Sequence, residues 1–583
     1  MPDLLQILAD ALYATGGLFT VMEIALVGIA AAMVLLRPHL GARLFEAIEI
    51  RGARIAHRRW VAVLVVGAAA IAMRALALAW VGIPDPLVHD EHSIWLQGQT
   101  FAAGRMANPT HPLWEHFETF YVNHVPAYAS MYFPGRGAPL ALGFAMFGDP
   151  WIGVWLSMVL LCMATTWMLQ GWVSPGLALL GGLIVAVRLG VLSFWVNSYY
   201  GGAIIAFGAT LVVGALPRLL REPRWTQGLV MGLGAAILMV SRPYEGALLC
   251  APVGLLLAWR FARPRLPATR KALAHAFVPA IACIAAGAAL LVSYNLATTQ
   301  NALKTPYGLN RATYASAPAF VVADAVPSAQ RGPQHFRDYF AEEAEPYERT
   351  TSALQVARGI VGKVGYTWNF YVGLTFLAAF LAGLWSSRRD GFLLGTSGFF
   401  MAGYALVTWN FPQYTAPLMP ILMVIMMRGF QWLASTGNPL GLGAARMMPT
   451  VAVVLLMASL GVAGAAPQVF SGSSPQAPCC KVDQPNLRQQ INARLASIPG
   501  RDLVLVLNSP HNPLTFELVN NDPDIDQAPV VWAHRLGDAR DERLLQYFSD
   551  RVVWTFEWAP DAQAGFHIAL VRQQERHGQA AQK

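Results

Sequence analysis

Residues 87–104, LVHDEHSIWLQGQTFAAG, follow a hydrophobic run at about 61–83 and set two adjacent carboxylates, Asp90 and Glu91, between two imidazoles, His89 and His92. The pattern predicts a helix that begins at the acidic pair and ends near Gly104. Its apolar members Ile94, Trp95, Leu96 and Phe101 would lie against a membrane surface, with Gln97 and Gln99 facing outward. Asp90 and Glu91 are the best catalytic candidates in the chain. The competing reading is local, with Asp90 capping the helix and Glu91 complementing its dipole for about 1 kcal/mol. Taken alone, the pair favours capping, so the surrounding architecture has to decide.

That architecture is a membrane one. Apolar residues make up 55% of the 583 residues and charged residues 13%, and the mean hydropathy is +0.43, a balance foreign to soluble domains. The formal charge of +8 does not point to nucleic acid, because Lys and Arg fall mostly in short segments between hydrophobic runs, where they set membrane orientation. Of the five cysteines, Cys162, Cys250 and Cys283 sit in apolar runs as small buried hydrophobes. Cys479 and Cys480 are adjacent outside the membrane, where a vicinal disulfide is strained and a metal site needs further ligands. The first residues are acidic and no small-residue cleavage site follows a short apolar core, so no cleavable signal peptide is expected.

Apolar runs occur at about 16–36, 61–83, 151–172, 175–195, 201–217, 228–241, 246–260, 276–294, 366–385, 391–409, 414–432 and 448–466, roughly twelve spans near the ~20 residues a bilayer requires. Arg37, Arg43, Arg51, Arg54, Arg58 and Arg59 form the densest cationic segment, which should be cytoplasmic. The connectors with Arg218, Arg221 and Arg224, with Arg260, Arg263, Arg265, Arg270 and Lys271, and with Arg388 and Arg389 alternate consistently with that start. Both termini and the acidic pair then face outward, toward the periplasm of a bacterium.

Four further outward connections carry polar or aromatic residues: Asn197-Ser-Tyr-Tyr-Gly-Gly202, Ser241-Arg-Pro-Tyr-Glu245, about 295–365, and Asn410-Phe-Pro-Gln-Tyr-Thr-Ala-Pro417. Their convergence on the side of Asp90 predicts an outward-facing site. The segment 84–148 has no clean span but is rich in aromatics, and reads as interfacial. Within it, Phe133-Pro-Gly-Arg-Gly-Ala-Pro139 lets the backbone turn tightly around Arg136, where a phosphate could dock, although such a loop is more often only a turn. Arg74 and Arg188 lie inside apolar runs, with an ion pair and a functional role equally open for each; Arg242 is better placed for an anionic headgroup unless Glu245 is its partner.

Past about Ala466 the composition changes. Ser471-Gly-Ser-Ser-Pro475 reads as a linker, which divides the chain into a membrane domain, 1–466, and an extracytoplasmic domain, 467–583. The latter predicts a helix at 486–497, strands at 502–507, 529–533 and 551–558, and a helix at 541–548, a small α/β domain that folds independently. Asn520-Asn-Asp-Pro-Asp-Ile-Asp526 lacks the full calcium-loop pattern and reads as a polar turn.

In its acidic pair in the first outward loop, the helix after it, Pro134-Gly135 and its many spans with polar outer ends, the chain resembles the GT-C superfamily of polyprenyl-phosphate-sugar glycosyltransferases. Protein O-mannosyltransferases and lipid A aminoarabinose transferases belong to this group. The resemblance covers about residues 60–430 and implies an α-helical polytopic membrane enzyme of the bacterial inner membrane. Such an enzyme moves a sugar from a lipid phosphate to a lipid, glycan or protein acceptor, and the first-loop acid, here Asp90 with Glu91 beside it, activates the acceptor. The first span and the C-terminal domain lie outside the shared core.

Polyprenyl phosphate is a good leaving group, so one carboxylate suffices as base and single displacement with inversion follows. Arg136, Arg242, Lys304 and Arg311 are the cations expected near the phosphate. Tyr199 and Tyr200 could stack on the sugar, though an interfacial aromatic belt is the better reading. No cofactor is required; a divalent metal on His89 and His92 would need ligands from elsewhere, since adjacent residues of one segment cannot all converge on one ion. The alternative reading is a transporter or flippase of a lipid-linked sugar, although no internal repeat is visible.

Overall fold

The computed structural model describes residues 17–262, 267–325, 334–348, 350, 353–388, 390–470, 479–480, 487–507, 517–559 and 567–572. The Ser471–Pro475 linker and Arg263, Arg265 and Arg389 lie outside the described residues. The protein is an α-helical membrane protein with a small α/β unit near its C-terminus. Seven helices are long and apolar enough to cross a membrane: Leu18–Leu36, Arg59–Val81, Pro150–Leu169, Gly202–Arg221, Ala274–Thr299, Ala416–Ser435 and Pro439–Ala465. The other five expected runs are also helical. Pro175–Leu189, Trp225–Ser241 and Leu377–Ser386 are apolar but shorter, and Pro243–Ala262 and Gly391–Ala405 take up the last two.

The run at 366–385 is broken between Ala353–Tyr371 and Leu377–Ser386. Backbone groups freed inside a bilayer must find partners within the protein, and here the two intramembrane charges supply them. Arg188 donates through Nε to the carbonyl of Phe370 (3.0 Å), and Glu23 accepts from the Thr375 amide (3.1 Å) and hydroxyl (2.7 Å). Arg188 and Glu23 are themselves 3.6 Å apart. Arg74 is structural too: it donates to the Gly82 carbonyl (2.8 Å) and to Asn197 Oδ1 (2.9 Å) and lies over the Trp151 ring. At one end of the bundle Gln170 donates to the Arg59 carbonyl and Arg221 to the Gly171 carbonyl, which brings two of the basic connectors together.

At the opposite end sits the helix His89–Ala102. It is not the surface-laid helix its sequence suggests, because protein covers most of it and nine of its 14 residues are buried. Ile94 and Leu96 are buried, and so is Gln97. The Gln97 amide donates to the Tyr132 carbonyl and the Tyr294 hydroxyl, both at 2.8 Å, and accepts from the Gly137 amide at 2.9 Å. A buried side-chain amide with its bonds met is stable there; one turned to lipid would not be.

The two-stranded ribbon of β1 (Val122–Asn123) and β2 (Ala129–Ser130) follows, then a helix Gly137–Phe147. The C-terminal unit has strands β3 (Asp502–Val506), β4 (Val530–His534), β5 (Val552–Ala559) and β6 (His567–Arg572) in the order β4-β3-β5-β6, with the first two pairings parallel and the last antiparallel. Helices Leu487–Ala496 and Asp538–Tyr547 flank it. The 520–526 segment is a polar turn: Asn521 pairs with the Trp532 backbone through both its amide atoms. Cys479 and Cys480 are joined and buried beside Phe19, Val81 and Phe470.

One face of this sheet has no independent core. Leu503, Leu505, Val531, Ala533, Leu544 and Phe548 pack in a single cluster with Leu96, Phe117, Val122 and Tyr128 of the first outer loop. Residues 467–583 expressed alone are therefore expected to aggregate rather than remain monomeric, since that apolar face would meet water. Size-exclusion chromatography checks this, and a stable, monodisperse fragment would support the independent-domain reading.

Candidate active site

Helix 89–102 starts without a side-chain cap from Val88, its N-cap residue. Glu91 supplies what is missing. Its Oε2 accepts from the Leu87 and Val88 amides at 3.1 and 3.4 Å, and its Oε1 accepts from the Tyr199 amide at 3.1 Å. Glu91 thus caps the helix and ties the 197–202 connection to it, a use that the sequence reading assigned to Asp90. Asp90 is left to point elsewhere.

It points into a cavity of about 330 Å³ lined by Asp90, Tyr132, Arg136, Arg242, Arg311 and Glu343, with aromatic walls that include Tyr339, Trp409 and Tyr414. Three of the four further connections, 241–245, 295–365 and 410–417, meet the first loop there, and 197–202 supplies no lining residue. Asp90 accepts a hydrogen bond from the Tyr132 hydroxyl at Oδ1. Burial pushes its carboxyl up from the ordinary range, with Glu343 and Glu91 adding to the effect, against the Tyr132 bond and the charge of Arg136.

Pro134-Gly135 fixes Arg136. The Gly135 amide donates to the Val240 carbonyl at 2.7 Å, and a Cβ at Gly135 would lie 2.1 Å from Ser241 Oγ, so only glycine allows this approach. Arg136 is buried, lies over the Tyr132 ring at 4.7 Å, and its Nε has no hydrogen-bond partner among the described residues. The other two arginines are already engaged. Arg242 pairs with Glu245 at 2.8 Å over the Tyr414 ring. Arg311 forms a two-pronged pair with Glu343 (2.7 Å to each oxygen), donates to the Ala317 carbonyl and lies over Trp409. Among the described residues Arg136 is the cavity arginine with no carboxylate within 4 Å.

Several expected residues lie elsewhere. Lys304 is exposed and does not line the cavity. Tyr199 and Tyr200 are buried in the protein rather than in a belt, and neither lines the cavity; the Tyr199 hydroxyl donates to the Pro84 carbonyl at 2.6 Å. His89 and His92 diverge. His89 stacks on Phe120 at 4.2 Å and meets Tyr339 edge-on, whereas His92 faces a second cavity of about 430 Å³ with Gln99, Arg488 and Asp522. Tyr132, Tyr339, Glu343, Trp409 and Tyr414 were not singled out by sequence reasoning. Nothing local marks them, since each matters only through residues far along the chain.

Glu91→Gln is expected to destabilise the protein by about 1–3 kcal/mol, because an amide cannot accept at both of its ends. Thermal unfolding checks this. An unchanged transition would remove Glu91 from its structural role.

Neither a family profile nor a curated sequence matches this chain. Among solved structures, the chain is similar to the Archaeoglobus fulgidus oligosaccharyltransferase in complex with zinc and sulfate, with a TM-score of 0.43 and 10% identity over 76% of this chain and 60% of that one. The same enzyme tethered to an acceptor peptide containing the NVT sequon gives a TM-score of 0.41 and 9% identity over 89% and 74%. ArnT from Cupriavidus metallidurans in the apo state gives 0.43 and 13% over 85% and 92%. Both enzymes are GT-C glycosyltransferases, the group that the sequence resembles. At this distance the likeness carries nothing about chemistry, which has to be read from the chain's own side chains.

Proposed function

We propose that this chain is a membrane glycosyltransferase that moves a sugar from a polyprenyl-phosphate donor to an acceptor hydroxyl on the outer side of a bacterial inner membrane. The observation that carries this reading is the cavity itself, in which a half-buried carboxylate and an arginine with no carboxylate within 4 Å among the described residues face one space beside the ends of the spans. Asp90 takes the proton of the acceptor hydroxyl as that oxygen attacks the anomeric carbon. The bond from that carbon to the phosphate oxygen breaks, and the phosphate leaves with the electron pair, its charge met by Arg136. Attack opposite the leaving group inverts the anomeric centre. The Tyr132 bond to one carboxylate oxygen orients Asp90 and leaves the other oxygen for the acceptor. Residues 1–466 carry this chemistry, and strands β3 and β4 with the helix Asp538–Tyr547 cover the first outer loop.

Lipids extracted from the purified protein and analysed by mass spectrometry test the reading. A polyprenyl phosphate or its sugar conjugate should be enriched over bulk phospholipid. Bulk phospholipid alone would count against the donor assignment. Movement of an intact lipid-linked sugar across a vesicle wall, with no new glycosidic bond, would support the flippase reading instead.

A further inference from the structure

Three side chains from distant parts of the chain converge outside the cavity: His335 in the helix Gln334–Glu348, Glu517, and His534 at the end of β4. His335 Nε2 lies 3.0 Å from Glu517 Oε2, and His534 Nε2 lies 3.8 Å from the same oxygen. One donor atom of each residue lies within 4.8 Å of the others. Ligand atoms around a tetrahedral zinc, bonded at ~2.0–2.1 Å, are separated by roughly 3.3 Å. Small side-chain adjustments reach that geometry.

The hydrogen bonds present do not use up these groups. Nδ1 of His335 and Nδ1 of His534 are buried without a hydrogen-bond partner among the described residues. His534 is 1% exposed, and its Nε2 donates to the Glu118 carbonyl at 2.9 Å, which leaves the lone pair of the ring on the unused Nδ1. The Nε2 atoms that face Glu517 are the hydrogen-bonded ones, and a half-turn of each ring about its Cβ–Cγ bond would bring the other edge, with the open Nδ1 lone pair, toward the carboxylate while the remaining N–H keeps a partner, as metal-ligating histidines do. Two imidazoles and one carboxylate suit zinc and its neighbours better than magnesium or calcium, which prefer all-oxygen sites.

We propose that His335, Glu517 and His534 bind a divalent transition ion of the zinc type, with water completing four-coordination, and that this ion fastens the C-terminal unit to the 334–348 helix. The helix is more than a tether. His335, Tyr339 and Glu343, spaced by four, share one strip of it. Tyr339 bonds the Tyr121 hydroxyl at 2.6 Å, and Glu343 holds Arg311, so the same strip forms one wall of the cavity. Occupancy of the ion site therefore positions that wall. The inference holds whatever the cavity does chemically.

The test uses the full-length protein without a histidine tag, stripped with chelator, exposed to zinc and desalted before elemental analysis. The wild type should keep one zinc per chain, and His335→Gln and Glu517→Gln should each weaken retention by roughly tenfold or more. Zinc should also slow proteolysis of the C-terminal unit in the wild type and not in the variants. A wild type that retains no zinc, or well-folded variants that retain as much as it does, would overturn the proposal. Should the variants fail to fold, cobalt on the wild type decides: a tetrahedral cobalt absorption displaced by one equivalent of zinc supports the site, and its absence sinks it.

Discussion

Asp90→Asn should lower sugar transfer by about 10²-fold or more, because the substitution keeps size and most hydrogen bonding but removes the basic carboxylate. Folding should survive, since Glu91 and not Asp90 holds the helix start. The pH behaviour separates the two roles further. A base works only when deprotonated, and the Asp90 carboxyl is raised by burial, so the acid limb of kcat/KM should lie above the ordinary carboxylate range and vanish in the variant. For stability the sign is opposite to that of a salt-bridged acid. A carboxyl whose folded pKa exceeds its unfolded one stabilises the fold below the unfolded value and loses that contribution as pH rises through the folded value. At neutral pH the charged Asp90 is then a cost, and Asp90→Asn should unfold no earlier than the wild type. Near-normal turnover in the variant would end the catalytic assignment.

Arg136→Gln should have the next largest effect. Removing a preorganised donor from developing charge typically costs 10²–10³-fold in rate, or about 2.7–4 kcal/mol, and Arg136 is the cavity arginine with no described carboxylate within 4 Å. Arg136→Lys should recover only part of the loss, because a compact ammonium lacks the planar fork. Comparable changes at Arg242 and Arg311 should act mainly through stability, since each would strand Glu245 or Glu343. Transfer assays at varied donor concentration distinguish these outcomes. Unchanged donor affinity and turnover in Arg136→Gln would place the phosphate elsewhere.

Much of the fold was legible because it is written in local pattern. Every apolar run is helical, although the one at 366–385 is split between two helices, and in the C-terminal unit the helices and first three strands fell within a few residues of where alternation put them, while β6 was missed. The site was legible only in part. Of the cavity's lining, Asp90, Arg136, Arg242 and Arg311 could be named because charges near the ends of apolar runs stand out, whereas Lys304, named by the same reasoning, does not line it. The division of work between Asp90 and Glu91 could not be read, because it depends on the amide of Tyr199 across the fold. The surroundings of helix 89–102 were misjudged for a related reason. Ile94, Trp95 and Leu96 look like a lipid-facing stripe until the layer that covers them, built partly from residues beyond 500, is known.

That covering layer bears on how the molecule is made. His116 bonds the carbonyl of His534, 418 residues later, and Glu91 meets Tyr199 after 108. A ribosome delivers the first loop long before either partner exists, so the loop is made with its buried faces still open. The Glu91 carboxylate can be set once the 197–202 connection is made, whereas the wall carrying Tyr414 and the β-strands over the loop are made only after the later apolar helices. A chain stopped after its last long apolar helix would then hold most of the cavity residues with the first loop uncovered, a species prone to capture or degradation.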